Sequence, residues 1–266
     1  MENLISTLYV VPHYSCNLDC PHCNVHRMKG QYVEEIFLDR LEKIKAQKTV
    51  LFGGEPLLYY DTFAKIVKTG KINSVSTNLL LLNKDNLKLI NDYKLDVATS
   101  WNFRRFTPYQ ETLWLNNLAL VKCTVLITLT DDLISEEGTS KLKEVLKKLD
   151  TIGTVDYLLF EQEVNNNLDS CHFERVDDWL CAISKDWTYS FENAIVDRLK
   201  DWKCDCSNVM TLEPNGTLRK GCPDYTATHF VNDCYKCSLN EICQPCVLQK
   251  ECSFPKKLYQ QVVNNE

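Results

Sequence analysis

Two stretches decide the fold. The first is Thr7-Leu-Tyr-Val-Val11 leading into Cys16-Asn-Leu-Asp-Cys20-Pro-His-Cys23; the second is Thr49-Val-Leu-Phe52 running into Gly53-Gly54-Glu55-Pro56. In each, a short β-branched and aromatic run reads as a strand, and its end opens into a chemically loaded loop. The first loop has the pattern C-x3-C-x2-C. Three thiolates on one tight loop can grip three irons of a cubane and leave the fourth iron open to an outside ligand. A structural zinc site would want a fourth protein ligand, which His13, His22 or His26 could supply. Spacing alone leaves both open. In the second loop, adjacent glycines permit close approach to the backbone, and Glu55 can accept from an ammonium group. A plain turn before the next helix is the other reading.

Outward from these loops, β-rich runs alternate with amphipathic ones. Strands are expected at 7–11, 49–52, 72–76, 95–100, 123–129 and 155–160. Between them, helical spacing marks 32–47, where Val33, Ile36, Phe37, Leu41 and Ile44 fall on one face. Further helices are expected at 60–69, 83–92, 108–119 and 135–149. Asn83 and Ser135 are the N-caps of two of them, and Glu136 and Glu137 suit a helix first turn. Such alternation implies parallel strands joined by right-handed crossovers, in a doubly wound sheet or a complete or partial barrel. The third strand ends at Ser76-Thr77-Asn78 and the fourth at Thr99-Ser100-Trp101-Asn102. Each polar set alone reads as a cap or turn. Together they line up thiolates, glycines, a carboxylate and hydroxyls at the C-terminal ends of four parallel strands, the edge where α/β folds bind ligands.

Residues 161–199 read as mostly helical, with a helix at 174–187, and the pattern then breaks into loop-rich, cysteine-dense sequence. The boundary falls near 187–203, dividing the chain into units of 1–190 and 191–266. Of fourteen cysteines, three lie within 16–23 and eight within 204–252, with only Cys123, Cys171 and Cys181 between. A disulfide framework has no reason to cluster so, whereas metal sites do. Cys123, Cys171 and Cys181 read as buried thiols. With 266 residues, the chain can bury a core without covalent staples. No signal peptide or membrane-length apolar run is evident, which places the chain in the cytoplasm and off the membrane. A net charge of −6 argues against general nucleic-acid binding.

The C-x3-C-x2-C after strand one and the GGEP after strand two resemble the radical S-adenosylmethionine (SAM) superfamily, in order and spacing across most of 4–160. The resemblance implies a partial (β/α)6 TIM-like barrel and reductive cleavage of SAM to methionine and a 5′-deoxyadenosyl radical, which abstracts hydrogen from substrate. It assigns Cys16, Cys20 and Cys23 to a [4Fe–4S] cluster and Gly53, Gly54 and Glu55 to the SAM amino group. Ser76, Asn78 and Ser100 match positions that touch the ribose or carboxylate. On this reading, losing the Glu55 carboxylate costs SAM binding more than folding.

The region holding Cys204, Cys206, Cys222, Cys234, Cys237, Cys243, Cys246 and Cys252 resembles the SPASM extension, a small loop-rich domain with one or two auxiliary [4Fe–4S] clusters. The implied sets are Cys204, Cys206, Cys222 and Cys246, and Cys234, Cys237, Cys243 and Cys252. Two gaps depart from the usual spacing, Gly216 to Cys222 by one residue more and Cys243 to Cys246 by one less. Zinc in the same cysteines is the competing reading. Asp224 stands close to where some such enzymes carry a catalytic carboxylate, although Pro-Asp-Tyr also reads as a turn. The implied partners are a flavodoxin- or ferredoxin-type electron donor and a substrate that is a peptide or protein side chain, or else a small metabolite such as a sugar, cyclitol or nucleoside. A zinc-binding interaction protein without catalysis is the reading from another class.

Overall fold

The computed structural model describes residues 5–20, 23, 25, 28–130, 132–162 and 209–220. In chain order the elements are β1 (Ile5–Val10), α1 (Glu34–Lys43), β2 (Ala46–Leu51), a single 3-10 turn (Pro56–Leu58), α2 (Tyr60–Lys68), β3 (Ser74–Ser76), α3 (Lys84–Asp92) and β4 (Asp96–Trp101). There follow α4 (Pro108–Leu118), β5 (Cys123–Leu129), α5 (Glu136–Asp150), β6 (Val155–Gln162), β7 (Val209–Leu212) and β8 (Leu218–Lys220). The strands form one sheet in the order β6-β5-β4-β3-β2-β1-β7-β8. All neighbours from β6 to β7 pair in parallel, and β8 folds back antiparallel on β7. Among the described strands β6 and β8 end the order, so the sheet is an open barrel wall and the α/β partial-barrel expectation holds.

Each helix covers the sheet with one apolar stripe. In α1 that stripe is Phe37 and Leu41; in α2 it is Phe63, Ala64, Ile66 and Val67. Leu142, Val145, Leu146 and Leu149 play the same part in α5. They meet Leu8, Val10, Leu51, Val75, Val97, Val125 and Ile127 from the sheet in one continuous core. Local chemistry fixes the helix starts. Asn83 accepts from the amides of Asp85 and Asn86, and Ser135 accepts from Gly138. Thr107 and Gln110 close a capping box ahead of Pro108, which loses nothing at a position whose N–H has no helical partner.

Three elements differ from the sequence expectation. Helix α1 stops at Lys43 rather than 47, because Ala46 is already paired with Ile5 in the sheet. Ala-Gln-Lys favours helix on its own, and strand pairing overrides that preference. Strands β7 and β8 were not expected. They lie within the unit placed at 191–266, yet β7 pairs residue for residue with β1, from Thr7–Val209 to Val10–Leu212. The helices expected within 161–199, and Cys171 and Cys181, fall outside the described residues. Cys123 is buried in β5 as expected.

Candidate functional site

The C-terminal ends of β1 to β4 lie side by side, and their loops are joined by the backbone before any side chain is considered. Beyond β1, Val11 donates to Leu212 O at 2.9 Å, and Phe52 beyond β2 donates to Val10 O at 2.9 Å. The pairing then continues past the strands: Gly54 N reaches His13 O at 3.1 Å and Glu55 N reaches Ser15 O at 2.9 Å. This zip explains both glycines. A Cβ on Gly53 would stand 2.5 Å from His13 O, and one on Gly54 would stand 2.0 Å from Ser15 O. Gly53 also has φ +140°, a conformation open to glycine and costly to other residues. The group that approaches the glycines is therefore the stem of the cysteine loop itself.

Glu55 is 1% exposed and is the hub of the site. One carboxylate oxygen accepts from Leu57 N at 3.0 Å and from the Thr77 hydroxyl at 2.6 Å; the other accepts from Asn78 N at 2.7 Å. Burial pushes its carboxyl above the usual range, while the Thr77, Asn78 and Leu57 donors and the Arg105 charge oppose that shift. The carboxylate thus ties the end of β2 to the end of β3. Removing it would leave three donors without their acceptor, so the expectation that Glu55 matters to SAM more than to folding is too simple.

Asn78 extends the tie to the cysteine loop. Its side-chain amide donates to Asn17 Oδ1 at 2.8 Å and lies 3.8 Å from Cys16 Sγ. Cys20 is buried and Cys16 and Cys23 are half-buried. Burial raises the Cys16 and Cys20 thiols above their ordinary value; at Cys20 the neighbouring Arg105 acts in the opposite direction. Metal would have to displace those protons. Among the described residues no three His, Cys, Asp or Glu side chains stand as ligands of one ion. His22 and His26 fall outside the described residues.

Ser76 closes β3 and is half-buried. Ser100, in β4, accepts from the Arg105 guanidinium through both its carbonyl, at 2.6 Å, and its hydroxyl. Sequence reading missed Arg105 and assigned His13 only as a zinc ligand. The His13 ring packs edge-on to Tyr59 at 4.8 Å between centroids, and both ring nitrogens are buried without a hydrogen bond. Burial lowers its pKa, and the nearby Ser15 backbone only partly counters that.

The cysteine loop is braced from the far end of the described chain. The turn between β7 and β8 sits against it: the Tyr14 hydroxyl donates to Glu213, whose other oxygen takes Arg219 Nε at 2.7 Å. Val33 N donates to Pro214 O at 3.1 Å, and a Cβ on Gly30 would stand 2.9 Å from the Pro214 ring. Gly216 makes the turn with φ +80°. The other eight cysteines and Asp224 fall outside the described residues.

Residues 10–100, which hold all of these loops except the turn after β7 and the Ser100–Arg105 contact, match the model of the radical SAM superfamily. The match covers that segment alone. An uncharacterized protein of Archaeoglobus fulgidus is 27% identical over 117 residues, 41% of this chain but 27% of that protein's length. The match therefore spans about a quarter of that relative. Among solved structures, anSMEcpe with bound AdoMet and Cp18Cys peptide superposes with a TM-score of 0.63 at 16% identity, covering 95% of this chain and 83% of that one. Streptococcus suis SuiB gives 0.57 at 14% identity, covering 97% and 67%. These likenesses show the fold, an α/β partial barrel. No helix among the described residues is long and apolar enough to cross a membrane.

Proposed function

We propose that the chain is a radical SAM enzyme that acts on a peptide or protein side chain. The observation that carries the first half is the physical joining of the three motifs. Cys16 touches Asn78, Asn78 is held by Glu55, and Glu55 is held against Ser15, one residue before Cys16. The cysteine loop, the glycine loop and the end of β3 are thereby held together as one unit.

A [4Fe–4S] cluster and SAM held here would supply one-electron reductive cleavage of SAM and, through it, hydrogen abstraction from substrate. The chain's own residues bind and orient. Cys16, Cys20 and Cys23 would each hold one iron. The Gly53–Glu55 loop would supply the contact to the SAM amino group, with Glu55 holding the loop in place through Thr77 and Asn78. Ser76, Asn78 and Ser100 offer polar contacts to its ribose or carboxylate. Val11, Tyr14 and Val25 form a small apolar cluster at the base of the loop, with Cys23 and Phe52 packed against it.

Peptide as the substrate class is supported by the neighbour that holds AdoMet and a peptide together on the same fold. The eight downstream cysteines suit one or two auxiliary clusters that take up the electron left on substrate, and a flavodoxin- or ferredoxin-type protein suits the role of donor. Incubating the anaerobically reconstituted chain with SAM and dithionite tests the reading. Release of 5′-deoxyadenosine that stops when Cys16, Cys20 and Cys23 are all replaced by Ala is the expected result. No release from a chain loaded with iron would refute it.

A further inference from the structure

The loop after β3 holds a buried leucine in a backbone conformation that leucine resists. Leu79 has φ 61°, in the left-handed region where a Cβ crowds the following carbonyl. Its side chain is fully buried in the main core. Such strain persists where the surroundings over-determine it, and three contacts do so here. Leu79 N donates to the Thr77 hydroxyl at 3.0 Å, and that hydroxyl donates in turn to Glu55. Leu82 N donates to Leu79 O at 3.2 Å. Asn117 Nδ2, from α4 and 38 positions along the chain, donates to the same carbonyl at 2.7 Å. Asn117 lies on the buried face of α4 with Glu111, Trp114 and Leu118. A buried amide is costly unless it is hydrogen-bonded, and the Leu79 carbonyl gives this one its bond. The turn fixed in this way orients the residue before it. Asn78 Oδ1 accepts from Leu80 N at 3.0 Å, closing an Asx turn across Leu79, while Asn78 Nδ2 donates to Asn17 in the cysteine loop.

We propose that Asn117 is a positioning residue for the candidate SAM site: by holding the Leu79 carbonyl it keeps the strained turn closed and the Asn78 amide directed at the cysteine loop. The inference rests on the reading that Asn78 contacts SAM. Without the Asn117 bond, Leu79 is free to relax toward negative φ, and the Asx turn that aims Asn78 opens with it. Asparagine suits the place because a carbonyl can only accept, so its partner must donate, and an uncharged donor is the cheaper one to bury. Aspartate has the same shape and would face that carbonyl with an acceptor.

The test measures SAM dissociation constants by calorimetric titration of the full chain reconstituted anaerobically, with iron per chain as the check on loading. N117A and N117D are each expected to weaken SAM binding about tenfold. In an N78A background the N117A change is expected to add nothing, because both act through one amide; a full further loss there overturns the proposal. L79A and L79G separate strain from packing, since they remove the same side chain and only glycine takes the left-handed turn freely. N117A is expected to cost SAM affinity in the L79A background and not in L79G, and equal losses in both overturn the proposal. Hydrogen exchange on the chain free of cluster and SAM gives a readout that needs no loading. Exchange over residues 77–82 is expected to quicken in N117A while β5 keeps the wild-type rate; unchanged exchange, or a rise spread evenly over the sheet, overturns the proposal. Should the N78A or Leu79 variants fail to fold or load, that measurement decides. A wild type that holds iron and binds no SAM defeats the enzyme reading and this inference together. SAM held equally by the wild type and N117A defeats only this inference.

Discussion

Gly54→Ala probes the seam between the two motif loops. The new methyl would stand 2.0 Å from Ser15 O, 2.4 Å from Ser15 C and 2.5 Å from Tyr14 O. All three are backbone atoms, so no side chain can swing away. Ordinary contact begins near 3.4 Å, and the loops must part by about 1.4 Å to restore it. That movement breaks the bonds from Glu55 N to Ser15 O and from Gly54 N to His13 O, now 2.9 and 3.1 Å. Overpacking of this kind costs about 1–3 kcal/mol, and each lost hydrogen bond adds about 0.5–1.5 kcal/mol. The sum is on the order of 4 kcal/mol, a large share of the stability of a typical domain. For a chain of this size it lowers the melting temperature by roughly 10 °C. Gly153→Ala is the matched control: nothing stands within 4 Å of its Cβ and its φ is not positive. That change is expected to be neutral or to add up to about 1 kcal/mol. Thermal unfolding by circular dichroism and iron uptake on reconstitution are read together. A Gly54→Ala chain that melts with the wild type and takes up as much iron would refute the claim that the glycines exist to let the cysteine loop in.

Replacing Cys16, Cys20 and Cys23 together by Ala is expected to abolish SAM cleavage while downstream iron remains; persistent 5′-deoxyadenosine would place the reactive cluster elsewhere. Metal analysis of the anaerobically reconstituted chain is expected to approach three four-iron clusters, one on the first three cysteines and two on the eight downstream; about four irons with one or two zincs would remove the auxiliary clusters. Glu55 gives a pH signature. Its folded carboxyl lies above its unfolded value because of burial, so its contribution favours the fold at acid pH and fades as pH rises from the ordinary carboxylate range through the raised value. Glu55→Gln, compared with wild type by urea unfolding across that window, is expected to flatten the decline; parallel pH profiles would mean that the Thr77, Asn78 and Leu57 donors hold the carboxylate at its ordinary value. Glu55→Ala is expected to be the worse-folded variant, since each stranded donor costs about 1–3 kcal/mol if left dry.

Most of the sheet was legible because each parallel strand is a short β-branched run bounded by a helical period, and β5 was placed to the residue at 123–129. Asn83 and Ser135 were legible because a cap is a local device. The end of α1 was not, since what stops it is a partner 41 positions away at Ile5. The β7–β8 hairpin left a signal that went unused: Pro214-Asn-Gly216 between two short apolar runs is turn chemistry. Cysteine density drew the reading toward loops instead. The cysteine and glycine motifs were legible as a pair, but the reason for the glycines was not, because their close neighbour is backbone from another strand end. Arg105 was illegible from composition, since nothing in the local sequence marks which of two adjacent arginines meets Ser100.

Strand β1 lies between β2 and β7, and these neighbours arrive at very different times. A chain grows at about 5–20 residues per second. β2 follows β1 within seconds, but β7 emerges roughly 10–40 seconds after it at that rate. Until then β1 is an edge strand, with unpaired amides open to any extended chain nearby. Cys16, Cys20 and Cys23 leave the ribosome on that open edge, long before Glu213 and Pro214 come round to brace the loop that carries them. Birth order therefore separates the metal-binding thiols from the turn that holds their loop still.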